Sequence, residues 1–216
     1  VINIGTLNSR TIASMAAAGK RANELGHPVV LDPVGAGASA LRTQTALRLM
    51  QEVQFSVIRG NISEIKTLCG DSASTKGVDA AEEDQVQAET LAQAAELAKA
   101  LSRQTGAVTA ITGAVDIIAS QDRGYFIRNG VPAMSRITGT GCMLSGVVAA
   151  WCAANQDRML EAAAAAVAAE GLCGELAWKK VQKNQAGTSS MRTWLIDAMS
   201  MLTEEQLLAG MKIESF

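Results

Sequence analysis

Short apolar runs alternate with stretches of helical spacing through the first 128 residues. Residues 1–5 read as a buried strand. Asn8 or Ser9 then offers an N-cap to a helix with Ile12, Met15, Ala22 and Leu25 along one side, closed by Gly26. The β-branched run 28–31 predicts a second strand ending at Asp32, followed by a loop over 33–39 and a helix through Leu41, Leu47 and Met50. Residues 55–58 make a third strand and 59–61 a turn, and Asn61 with Glu64 gives an N-x-x-E opening to a short helix that ends near Gly70. The polar stretch 71–83 has no periodicity and reads as a surface loop, whereas 86–101 regains helical spacing through Leu91, Ala94, Ala95 and Leu97. A fourth strand is expected over 107–112, and 116–120 with 124–128 form two antiparallel strands about the polar turn 121–123. From Thr138 to the C-terminus the pattern is helical, with breaks at 185–190 and near Thr203.

This alternation predicts an α/β fold with a mainly parallel central sheet and helices on both faces, where ligands bind at the carboxyl ends of strands. There is no internal repeat and no Pro-, Gly- or Ser-rich linker, so residues 1–216 are expected to form a single domain. A first residue that is not Met and already sits inside an apolar strand leads to the expectation that the domain is incomplete at its N-terminus. No signal peptide is expected, because the opening residues carry no basic region.

Composition narrows the partners. Lys and Arg number 19 against 21 Asp and Glu, and aromatic residues make up only 3%, so neither a basic footprint nor stacking platforms for nucleic acid are present. The apolar stretch 141–154 is too short to span a bilayer, and the Ala-rich run after Leu160 is interrupted by Glu161, Glu170 and Glu175. Cys69, Cys142, Cys152 and Cys173 form no CxxC pair, which points away from zinc or a disulfide framework and towards a reducing cytoplasm. A small-molecule partner is the expectation.

The strongest chemical signal is the run TGTGC at 138–142, a Gly-rich turn leading into an apolar helix. Without side chains at Gly139 and Gly141, the amides of Gly139, Thr140 and Gly141 can converge on an anion, aided by the helix dipole. Asp32 and Glu64, just past neighbouring strands, suit a Mg²⁺ that bridges nucleotide phosphates, although Asp before Pro and Glu at N3 are also ordinary turn and capping residues. Arg59 supplies a fork for a phosphate oxygen, against the alternative of a surface ion pair. His27 reads as a loop residue, Cys69, Cys152 and Cys173 as core, and the cluster Asp79, Glu82, Glu83 and Asp84 as a solvated face.

Five runs, NIGTL at 3–7, LDPVGAGA at 31–38, RGNISEI at 59–65, ITG at 111–113 with Asp116, and TGTGC at 138–142, stand in an order and spacing similar to hydroxyethylthiazole kinases over essentially the whole chain. The resemblance implies a ribokinase-like three-layer fold, ATP as phosphoryl donor with Mg²⁺, and a cytoplasmic homotrimer with sites near subunit interfaces. It implies that Arg59 and Thr112 bind ATP, that Asp32 and Glu64 serve the metal and phosphates, and that Gly139 contacts the thiazole. Cys142 takes the place that many ribokinase relatives give to a catalytic Asp. The family usually has a further N-terminal segment that includes a substrate-contacting Met, for which this sequence has no counterpart. The implied reaction is phosphorylation of 4-methyl-5-(2-hydroxyethyl)thiazole. Two other readings stand beside it: a nucleotide-dependent dehydratase of hydrated NAD(P)H, whose members carry Asp at the Cys142 position, and a non-catalytic nucleotide-binding subunit.

Overall fold

The computed structural model describes residues 1–70 and 88–216. The loop expected at 71–83 and the acidic group Asp79, Glu82, Glu83 and Asp84 lie outside the described residues. The elements run β1 (Ile2–Asn3), α1 (Ser9–Glu24), β2 (Val30–Asp32), α2 (Ala40–Glu52), β3 (Val57–Asn61), α3 (Ile62–Leu68), α4 (Ala88–Thr105), β4 (Val108–Thr112), β5 (Asp116–Ala119) and β6 (Gly124–Ile127). A 3₁₀ turn (Pro132–Arg136), α5 (Thr140–Ala154), α6 (Met159–Asn184), α7 (Thr188–Met201), α8 (Glu204–Gly210) and β7 (Ile213–Ser215) follow. The expected helix starts have local causes. Asn8 accepts the N–H groups of Arg10 and Thr11, Ser39 accepts that of Arg42, and Asn61 and Glu64 complete a reciprocal capping box at α3.

Among the described residues, seven strands form one mixed sheet in sequential order. β1 to β4 pair in parallel and β4 to β7 antiparallel. Side chains two apart along a strand share a face. Thus Leu31, Ile58, Ile111 and Ile117 pack with α1 to α4 residues such as Ala16, Leu49, Ile65 and Ala98, while Val30, Val57, Ala110 and Ile118 pack with Leu144 and Val148 of α5 and Ala163 and Val167 of α6. Sequential order puts the crossover helices α1 to α4 on one face, because successive parallel connections keep one hand. The opposite face is covered by α5 and α6.

Two expectations are corrected. Residues 59–61 are not a turn: β3 runs on through Asn61, with Arg59 paired to Ala110 and Asn61 to Thr112, since the capping box starts α3 directly from the strand end. Nor is the C-terminus helical throughout. β7 pairs with β6, Phe216 stacks on Phe126 at 4.3 Å between ring centroids, and Lys212 bonds Glu175. A three-residue strand carries too few positions to show a period, so tertiary pairing decides its state.

α6 lies so close to the segment after β6 that a Cβ on Gly171 would stand 2.8 Å from the carbonyl carbon and 2.9 Å from the oxygen of Asn129. Backbone cannot yield as a side-chain tip does. Gly171→Ala should therefore destabilise the protein by about 1–2 kcal/mol net, since overpacking costs ~1–3 kcal/mol and improved helix propensity returns at most ~1 kcal/mol. Urea unfolding checks this; an unchanged midpoint would show that the two segments separate freely.

Candidate functional site

The parallel strands end in polar residues at one edge of the sheet. Asn3 of β1 stands beside Asp32 of β2, and Asn61 of β3 beside Thr112 of β4. Asp32 is only 1% exposed. Its Oδ2 accepts from Asn3 Nδ2 at 2.8 Å, from Ser145 Oγ at 2.8 Å and from Arg59 Nη1 at 3.4 Å. Its Oδ1 is buried without a partner. Arg59 also donates from Nη2 to Thr112 Oγ1 at 3.2 Å, while its Nε is buried and unpartnered.

The Gly-rich turn meets these groups through α5. Gly139 caps the helix with φ +98°, a conformation that favours glycine, and nothing lies within 4 Å of where its Cβ would be. No side chain caps this end. The first ladder bond is from Met143 N–H to the Gly139 carbonyl at 2.9 Å, so the amides of Thr140, Gly141 and Cys142 precede the ladder and face outward as donors. A Cβ on Gly141 would stand 3.0 Å from Arg59 Nη2, so the absent side chain is what lets the helix head rest against the guanidinium. The Thr140 hydroxyl turns back to the carbonyls of Ile137 (3.3 Å) and Met134 (3.5 Å), leaving its backbone amide as the group directed at a ligand. The Cys142 thiol is exposed at the same end and accepts from Asn3 Nδ2 at 3.5 Å.

Glu64 is buried, and each of its carboxylate oxygens accepts a backbone N–H: Oε1 from Gly35 and Oε2 from Asn61, both at 2.8 Å. It thereby ties the loop after β2 to the start of α3. Burial pushes its carboxyl above the ordinary range, opposed by those two amides and by Arg59. The same guanidinium acts on two further carboxylates. Asp116, partly covered at its surface but deep among protein atoms, accepts from Gly113 N–H at 2.9 Å and is pushed up to about 7 by burial. Glu170 of α6, 2% exposed with Oε2 unpartnered, is pushed up to about 8 by burial.

Asp32, Arg59, Thr112 and the 139–142 turn, all expected from the sequence, thus converge, with Glu64 adjoining them through the field of Arg59. Asn3, Ser145 and Glu170 join them without having been singled out. The only advance sign of Glu170 was a charge inside an Ala-rich helix. Cys152 and Cys173 are buried as expected, with thiols pushed up to about 11, and none of the four cysteines is in a disulfide. The arrangement offers a guanidinium, outward helix amides, a partly satisfied carboxylate and a thiol around one place, which is a set suited to phosphate and to a nearby hydroxyl.

Comparison with known proteins gives a consistent result. A profile of the Hydroxyethylthiazole kinase family matches residues 1–205. The hydroxyethylthiazole kinase of Clostridium acetobutylicum is 55% identical over 215 residues, spanning 100% of this chain and 78% of that protein. That of Methanoculleus marisnigri is 42% identical, with 99% and 72% covered. Among solved structures, the hydroxyethylthiazole kinase protein from Pyrococcus horikoshii superposes with a TM-score of 0.86 at 31% identity, covering 100% of this chain and 76% of that one. The pyridoxal kinase of Staphylococcus aureus, with ADP bound, shares the fold at a TM-score of 0.51 and 21% identity, over 78% and 60% of the two chains.

Glu170 makes stability depend on pH with a defined sign. Its carboxyl lies at about 8 in the folded chain against an ordinary 4.5, so the folded state holds a proton that the unfolded chain releases between these values. Stability from this group is full below the lower value and is lost as pH rises towards the upper one. Glu170→Gln stays neutral throughout. The wild-type melting temperature should therefore fall more than that of the variant between about pH 5 and pH 8. Parallel curves would show that Glu170 titrates as an ordinary carboxylate.

Proposed function

The chain belongs to the hydroxyethylthiazole kinase family, and we propose that the groups between the carboxyl ends of β1 to β4 and the head of α5 form its phosphoryl-transfer site. The family activity is ATP-dependent phosphorylation of 4-methyl-5-(2-hydroxyethyl)thiazole in thiamine biosynthesis. What carries the placement of the site is one convergence: a buried carboxylate with a free oxygen, a guanidinium and an uncapped helix N-terminus meet where Gly141 touches Arg59.

Phosphoryl transfer asks mainly for positioning and charge neutralisation. Arg59, steadied by Asp32 and Thr112, presents its fork to phosphate oxygens, and the amides at 140–142 complete the cradle. The open space over Gly139 leaves room for the thiazole. As the substrate hydroxyl oxygen bonds to the γ-phosphorus, the bond from that phosphorus to its bridging oxygen breaks and ADP leaves. The hydroxyl proton passes late in this step, and Cys142 Sγ is the acceptor we assign.

Mg²⁺ is the cation proposed for this site. Asp32 offers the unpartnered Oδ1, and each Glu64 oxygen keeps a lone pair beyond its single backbone N–H. Among the described residues no three His, Cys, Asp or Glu gather into a cage, which suits an ion that draws most of its ligands from water and phosphates. When bound, it neutralises charge developing on the phosphates. Assembly as a homotrimer and a cytoplasmic location belong to the same reading and rest on the resemblance; among the described residues no helix is long and apolar enough to cross a membrane. Light scattering at working concentration tests the trimer.

The reaction is checked by coupled ADP release with the thiazole alcohol, pyridoxine and hydroxymethylpyrimidine as competing acceptors. Turnover on the thiazole alone is expected, and ATP binding without turnover on any of them would overturn the assignment. Asp32→Asn probes the metal more cleanly than Glu64→Gln. An Asn keeps an acceptor for Asn3, Ser145 and Arg59 and places its NH₂ where Oδ1 has no partner, whereas Gln would set an amide N–H against a backbone N–H. Asp32→Asn should raise the Mg²⁺ concentration for half-maximal rate by about 10-fold or more. An unchanged Mg²⁺ curve would remove Asp32 from the metal site. Cys142→Ala should lower kcat by about 10²-fold, the low end for a general base, with KM for ATP little changed.

A further inference from the structure

Asn3 forms, with a single carboxamide, a bridge between the best-buried carboxylate of the site and the Cys142 thiol. Its orientation is settled by its surroundings. Oδ1 accepts the N–H of Gly5 at 2.9 Å, a bond only the oxygen can make, so Nδ2 is the atom turned towards Asp32 and Cys142. One of its protons goes to Asp32 Oδ2 at 2.8 Å and the other to Cys142 Sγ at 3.5 Å, an ordinary separation for a sulfur acceptor. Gly5 permits the arrangement, because a Cβ there would stand 2.9 Å from Asn3 Oδ1 and push the carboxamide away. Asp32 is itself held by Ser145, which lies on α5 one turn beyond Cys142. The sulfur is therefore referenced to the tips of β1 and β2 as well as to its own helix.

We propose that Asn3 is a positioning residue for Cys142, holding the sulfur by a directed N–H at the place where the attacking hydroxyl must lie. This rests on the phosphoryl-transfer reading of the site. A donor aimed at sulfur fixes the direction of its χ1 rotor and leaves the thiol hydrogen pointing elsewhere. Asn3 also donates to Asp32, so its loss acts on two partners, and only the part of the effect that disappears with Cys142 belongs to the thiol.

Asn3→Ala and Asn3→Leu are to be compared in the wild type and in Cys142→Ala. Asn3→Leu is the near-isosteric variant: it loses both donors without setting a second carboxylate beside Asp32. In the wild type either change should lower kcat about fivefold or more, the scale of one or two hydrogen bonds. In Cys142→Ala the same changes should cost severalfold less, because only the bond to Asp32 remains to be lost. Equal losses in the two backgrounds, or no loss in the wild type, would overturn the proposal. A second measurement needs no turnover. Alkylation of Cys142 by iodoacetamide, followed by peptide mass at neutral pH, should slow severalfold in Asn3→Leu, and an unchanged rate counts against the proposal. Were the wild type unable to phosphorylate the thiazole, the functional reading would fail while the alkylation rates still reported on the link from Asn3 to Cys142.

Discussion

A carboxylate enclosed to 1% exposure is costly unless donors replace the water it has lost. Asp32 finds three of them on three different elements: Asn3 on β1, Arg59 on β3 and Ser145 on α5. Each contact is also a distance constraint between elements. The hydroxyl of Ser145 brings the first turns of α5 over the strand ends, and the guanidinium of Arg59 then lies against Gly141. The proposed phosphate cradle thus depends on one buried carboxylate, and removing any of its donors would loosen the register between sheet and helix head.

The sheet order makes that contact possible. With β1 to β4 laid down in sequence and their crossover helices on one face, the other face is free for helices that come later in the chain. α5 and α6 occupy it, so the N-terminus of α5 arrives beside the carboxyl ends of the parallel strands. The site is therefore assembled between an early half, which supplies the side chains at the strand tips, and a late half, which supplies helix amides and a thiol.

Much of this was legible in the sequence because the signals are local. A β-branched run that stops at Asp32, a capping box at Asn61 and Glu64, and glycines at 139 and 141 before an apolar helix each declare themselves within a few residues. What stayed hidden depends on partners far away in the chain. Asn3 reads as an unremarkable polar residue until β1 pairs with β2. Ser145 lies 113 residues from the carboxylate it serves and looked like one more position in an apolar helix. Glu170 stood as an interruption in an Ala-rich run, and only the packing of α6 on the sheet brings it within the field of Arg59. β7 was lost for the same reason, since its identity comes from β6 and from Phe126.

The crowding of acids about Arg59 bears on the proposal that a thiol serves at the head of α5. One guanidinium faces Asp32, Glu64, Asp116 and Glu170. Fully ionised, these four would leave an excess of negative charge where phosphates are proposed to bind. Burial offsets this by raising Asp116 to about 7 and Glu170 to about 8, so that near neutrality these two retain much of their proton occupancy. A carboxylate at position 142 would add a fixed negative charge directly beside the phosphate cradle. Cysteine would supply a softer, more polarizable acceptor there, and it needs an outside group to set its direction, because a single χ1 rotor at a helix end has little to hold it. Asn3 is placed to be that group, so on the proposed reading the thiol at the head of α5 and the amide at the tip of β1 are two parts of one arrangement.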